Sequence, residues 1–111
     1  MIQVQLEQSK EGAFRTCIAV GHAGYGVQGS DIVCAGVTVL LRTALSQLEK
    51  HQDLTLKVNA QKSGELAFQI VECKDSEKEF LKYVADFLIE GIGRLASDYP
   101  ENVTMRVKYV E

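Results

Sequence analysis

From Ile32 to Leu48 apolar residues recur at helical spacing, at Val33, Val37, Leu40, Leu41, Ala44, Leu45 and Leu48, and the first half of this stretch is apolar on nearly every side. A helix of that kind does not lie on a surface. The rest of the chain must cover it on more than one side, either from a central place in the monomer or with the help of a second copy. The helix is expected over residues 31 to 49, with Ser30 or Asp31 able to cap its first turn.

The remaining segments read as the sheet and second helix that such a core element needs. Ile2, Val4 and Leu6 alternate with polar neighbours, and after Ser9-Lys10-Glu11-Gly12 the alternation resumes at Phe14, Thr16, Ile18 and Val20, which predicts a hairpin. A second hairpin is expected from strands near 54–60 and 66–73 around Lys62-Ser63-Gly64. Ser76-Glu77-Lys78-Glu79 reads as a capping box, followed by a helix with Phe80, Val84, Phe87, Leu88, Gly91 and Leu95 on one stripe and Lys78, Lys82, Asp86 and Glu90 toward water. Tyr99-Pro100 ends it. A last strand alternates through Val103, Met105, Val107 and Tyr109. The order is ββαββαβ, and the expected class is α+β: one mostly antiparallel sheet with two helices packed on it, as a single domain over residues 1–111. A chain of that length buries about two-thirds of its unfolded surface without disulfides or metal.

Charge and cysteine usage narrow the function. A net charge of −3 with scattered basic residues offers no concentrated patch for a phosphate backbone, so direct nucleic-acid binding is disfavoured. Three cysteines, Cys17, Cys34 and Cys73, lack Cys-x-x-Cys spacing, which argues for free thiols and against a zinc site; no metal or cofactor is expected. No uninterrupted apolar run of about 18 residues suggests a membrane span, and no basic-then-apolar leader precedes Ile2, so a cytoplasmic location is expected.

Chemistry concentrates at one loop. His22 and Cys34 bracket a polar, glycine-rich stretch, and Cys34 falls in the first turn of the expected helix, where half a positive charge and unpaired amides favour a thiolate. An imidazole nearby can take the proton. The two therefore read as a nucleophile and its base. Taken alone, a cysteine between Val33 and Ala35 is more often a small buried hydrophobe, and His22 alone is a turn residue. Cys17 and Cys73 lie in strand patterns and read as packing residues. His51 reads as a solvated residue beyond the helix end and a weaker candidate base.

The neighbours of the pair have supporting roles in this reading. Asp31 either caps the helix or orients the imidazole, with the cap favoured. Gly24, Gly26, Gly29 and Ser30 form a loop expected to be mobile and to gate the pair; the alternative, a phosphate cradle, lacks a Gly-Lys-Ser/Thr ending. Amides of the first turn, that of Cys34 included, and of the loop glycines are candidate oxyanion donors.

Gly21-His22-Ala23, then the glycine-rich loop, then Asp31-Ile32-Val33-Cys34-Ala35-Gly36-Val37-Thr38 resembles the motif pair of the ribosomal-processing cysteine protease Prp family. The length and the expected element order are similar to that family as well. The resemblance implies a cysteine endopeptidase that trims the N-terminal extension of a bacterial large-subunit ribosomal protein, number twenty-seven, with His22 and Cys34 as the catalytic dyad and that extended protein as partner. Thr38 departs from the family, which commonly has serine there. The competing reading is a non-catalytic ribosome-associated or RNA-binding module; a homodimer built on the over-apolar first helix is compatible with either.

Overall fold

The computed structural model describes residues 1–27, 30–60 and 62–111. Strands β1 (Ile2–Ser9), β2 (Phe14–Val20), β3 (Leu54–Asn59), β4 (Glu65–Cys73) and β5 (Val103–Val110) form one sheet in the order β3-β4-β2-β1-β5. Every neighbouring pair is antiparallel except β1 with β5. Helices α1 (Ile32–Glu49) and α2 (Lys78–Asp98) complete the ββαββαβ order expected from the sequence.

Strand alternation decides which face the helices cover. Ile2, Val4 and Leu6 of β1, Cys17 and Ala19 of β2, and Phe68 and Ile70 of β4 are buried beneath α1 and α2. The opposite face pairs Gln3 with Val20, Gln5 with Ile18 and Glu7 with Thr16, and it leaves Ile18 and Val20 exposed. Val33, Val37, Leu41, Ala44, Leu45 and Leu48 turn α1 toward the sheet, while α2 buries Leu81, Val84, Ala85, Leu88 and Ile92. The helices approach closely at Gly91, where a Cβ would lie 3.0 Å from Leu40 Cδ1. By length and composition α1 would suit a membrane span, with mean hydropathy 1.4, but its apolar stripe is core packing on the sheet.

Two expectations are corrected, and one of the two ways of covering α1 is excluded. The monomer does not enclose the first half of α1: Ile32 and Val39 remain 63% exposed, because the sheet covers only one side of the helix and α2 a second. The capping box at Ser76 does not form, because Ser76 lies inside a 3-10 turn at Asp75–Glu77; α2 starts at Lys78 without a side-chain cap bond, Glu79 accepts from Lys82, and Glu77 is bonded to His51. Phe87 is exposed, because the buried stripe of α2 centres on Ala85 and Leu88.

Candidate active site

The site begins where β2 runs out. Gly21 has φ +107° and donates its N–H to the Gly64 carbonyl at 2.7 Å, and any Cβ placed on it would run into the Met1 carbonyl oxygen. Only glycine makes this turn. It delivers His22 to the surface, where the imidazole lies against Gly64 of the β3–β4 connection; a Cβ at Gly64 would fall 2.8 Å from Nε2. Gly64, itself at φ +80°, is thus the seat of the ring.

The next residue reaches the sulfur. Ala23, buried, donates its N–H to Cys34 Sγ at 3.1 Å, so the peptide that follows His22 abuts the thiol. A donor aimed at sulfur complements negative charge there. Cys34 itself is half-buried in the first turn of α1. Among the described residues no hydrogen bond joins the imidazole to the sulfur. The structure therefore brings both to one corner of the fold, with the ring resting on the hairpin side of it.

Asp31 is the N-cap of α1, and its carboxylate does more than cap. One oxygen accepts the N–H groups of Val33 and Cys34 at 2.9 and 3.0 Å, and the other accepts those of Tyr25 and Gly26 at 2.8 and 3.0 Å. None of these bonds reaches the imidazole. The backbone N–H of Cys34, helped by those of Gly26, Tyr25 and Val33, holds the carboxyl below its ordinary value of 3.8 against the opposing effect of burial. Asp31 also acts as the anion of its own helix terminus, which leaves those amides no free hydrogen for a phosphate. For the same reason the Cys34 amide is not open to an oxyanion, contrary to the sequence reading. Ala23 N–H is the donor that faces the sulfur.

A pH effect follows. A depressed carboxyl stabilises the fold above its unfolded value and loses that contribution as pH falls through the folded value. Hydrogen exchange of the Tyr25 and Gly26 amides should therefore speed up as pH drops below 3.8, after correction for intrinsic rates, whereas Asp31→Asn should show the faster exchange already at neutral pH. Equal protection in the two proteins at neutral pH would contradict this.

The loop is less free than glycine content suggests. Besides the two bonds to Asp31, the Ala23 carbonyl accepts Asn102 Nδ2 at 3.0 Å, and Tyr25 meets Tyr99 edge to face with centroids 5.2 Å apart. Gly24, at φ +69°, lets the chain pass between these anchors. Ser30 donates its N–H and its hydroxyl to the Val27 carbonyl, and Gly29 lies outside the described residues. Hydrogen bonds and an aromatic contact thus anchor the half of the loop next to His22.

Other candidates resolve by position. His51 stacks on Phe80 at 3.7 Å and bonds Glu77 at 2.9 Å, so it is a tie between the two helices instead of a solvated residue. The length of α1 puts it about 25 Å from Cys34. Cys17 is fully buried, and burial pushes its thiol up to about 12. Thr38, one turn beyond Cys34, is exposed on the rim of a cavity of about 310 Å³ that Arg42, Lys62, Gly64 and Leu41 also line. Asn102, Tyr99 and Gly64 were not anticipated; their only sequence signals are a turn asparagine after Pro100, a helix end and a hairpin glycine.

A family model described as Cysteine protease Prp matches residues 1–104. The chain belongs to the Prp cysteine protease family. Ribosomal processing cysteine protease Prp from two Staphylococcus aureus strains, Mu50 and NCTC 8325, is 24% identical over 112 residues, which covers 97% of this chain and all of theirs. The fold is shared with crystal structures as well. An essential ribosomal processing protease Prp from S. aureus, in complex with a covalently linked product peptide, superposes with TM-score 0.83 at 24% identity over 97% of this chain and 100% of that one. A Streptococcus mutans protein gives 0.78 at 28% identity, covering 99% and 96%. Similarity to the Prp family thus extends over nearly the whole chain, well past the motif pair around His22 and Cys34.

Proposed function

We propose that this Prp family member is a cysteine endopeptidase in which Cys34 is the nucleophile and His22 the base, and that it removes the N-terminal extension of large-subunit ribosomal protein twenty-seven in the bacterial cytoplasm. The observation that carries the dyad is the Ala23 N–H on Cys34 Sγ, since it ties the residue after His22 to the sulfur. The substrate comes from the names of the S. aureus relatives and from the motif resemblance.

In this mechanism Sγ forms a bond to the scissile carbonyl carbon while the thiol proton passes to the imidazole. His22 first turns from Gly64 toward the sulfur, a rotation open to an exposed side chain. Once carbon is bonded to Sγ, Ala23 N–H lies beside the new oxyanion and donates to it. The imidazole then gives its proton to the leaving amine, the C–N bond breaks, and water hydrolyses the thioester to release the acid and the thiol. The amides tied to Asp31 keep the loop and the helix start in register throughout.

The test is incubation with a panel of N-terminally extended ribosomal-protein peptides and mass spectrometry of the products. One cut within the extension of protein twenty-seven, and none in the others, is expected. Uncleaved peptides throughout would refute the substrate.

The exposed side of α1 supports a homodimer in the same proposal, with Ile32, Ala35 and Val39 covered by a second copy. Sedimentation velocity should find a dimer that Val39→Asp converts to monomer. A wild-type monomer at high micromolar concentration would contradict it.

A further inference from the structure

Asn102 stands between the end of α2 and the start of β5, and three hydrogen bonds meet there. Its backbone N–H donates to the Tyr99 carbonyl at 2.9 Å and its own carbonyl accepts the Ile2 N–H at 2.9 Å, so its main chain is fixed from two sides. From that base Nδ2 donates at 3.0 Å to the carbonyl of Ala23, a residue 79 positions earlier. The same Ala23 is 2% exposed and presents its N–H to Cys34 Sγ at 3.1 Å. One short residue is therefore held at both polar ends, by an amide at its oxygen and by the sulfur at its nitrogen.

We propose that Asn102 is a positioning residue of the active site, gripping the Ala23 carbonyl so that the Ala23 N–H stays aimed at Cys34 Sγ and the His22 backbone stays beside it. The proposal rests on the reading of Cys34 as nucleophile. Asparagine suits the task for a chemical reason. A carbonyl oxygen needs a donor, which aspartate at neutral pH lacks; alanine offers nothing, and the fixed main chain sets the reach to a side chain of this length. Losing the grip releases Ala23 to rotate, and the donor leaves the place where sulfur charge and then oxyanion charge develop. A fastener of β5 alone would alter stability and leave the chemistry of the folded protein untouched.

The experiment compares Asn102→Ala and the isosteric Asn102→Asp with the unmodified enzyme. For the folded variants, kcat on an N-terminally extended ribosomal-protein peptide should fall about three- to tenfold, the span one net hydrogen bond is worth, with KM within about twofold. An activity-independent readout runs beside it. In amide NMR spectra Cys34→Ser should move the Ala23 resonance in the Asn102 background, and that response should shrink when Asn102 is alanine or aspartate. Wild-type kcat in a folded variant, or the same Ala23 response to Cys34→Ser with and without Asn102, overturns the proposal. Should neither variant fold, the unmodified protein decides: one Asn102 side-chain N–H should exchange slowly, and free exchange of both would overturn the grip. A wild-type enzyme that cleaves no peptide sinks the substrate reading only, because the NMR arm needs no turnover.

Discussion

Cys34→Ser is expected to give a folded protein whose peptide cleavage is reduced by about 10⁴-fold or more. The fold survives because the change is nearly isosteric at a half-buried position and the serine oxygen still accepts the Ala23 N–H, so the loop keeps its seat. Activity does not survive. A hydroxyl loses its proton far less readily than a thiol, and an exposed histidine without a bonded partner at the sulfur does not make up the difference. His22→Ala should fall by a comparable factor, since members of a nucleophile and base pair act as a unit. Initial rates on the processed ribosomal peptide, with circular dichroism as the control for folding, measure both. Residual cleavage within about tenfold of wild type for Cys34→Ser would remove the sulfur from the reaction.

Gly21→Ala should produce the largest structural loss of any single methyl added near the site. Its backbone sits at φ +107°, where an L side chain is strained by about 1–3 kcal/mol, and the new Cβ would overlap the Met1 carbonyl oxygen. Relief requires either the Met1 end of β1 to shift or Gly21 to retreat from it, and the second breaks the Gly21–Gly64 bond and moves His22 with it. Stability and cleavage should fall together. Gly24→Ala is the matched control: it too has positive φ, +69°, but nothing lies within 4 Å of its Cβ, so it carries strain without collision. Urea denaturation of the two variants should show Gly21→Ala the less stable by a clear margin. A midpoint no lower than that of Gly24→Ala would mean that the tight turn is not what aims His22.

Local signals in the chain proved to be good guides wherever the cause itself is local. Alternation at Ile2, Val4 and Leu6 and helical spacing through Val33, Val37 and Leu41 report which face meets the core, and those faces are where the structure has them. Asp31 was legible as a cap because an N-cap bonds amides two and three residues away. Its second pair of bonds, to Tyr25 and Gly26, was not legible, since it depends on how the loop folds back. The Ser76 capping box failed because Ser76 lies inside the 3-10 turn of Asp75–Glu77, so α2 starts later, at Lys78, and Glu79 bonds Lys82 instead of reaching back. Asn102 illustrates the limit most clearly. Nothing in Pro100-Glu101-Asn102-Val103 points to Ala23, and only the parallel placement of β5 beside β1 brings the two together.

Competition among the three thiols tests the central claim most directly. Brief exposure of the native protein to iodoacetamide, followed by peptide mapping, should place the label on Cys34 first, more slowly on half-buried Cys73, and on Cys17 only after unfolding, because that thiol is enclosed and raised to about 12. A native protein labelled first at Cys17 or Cys73, or at Cys34 no faster than after denaturation, would contradict a reactive sulfur at the start of α1.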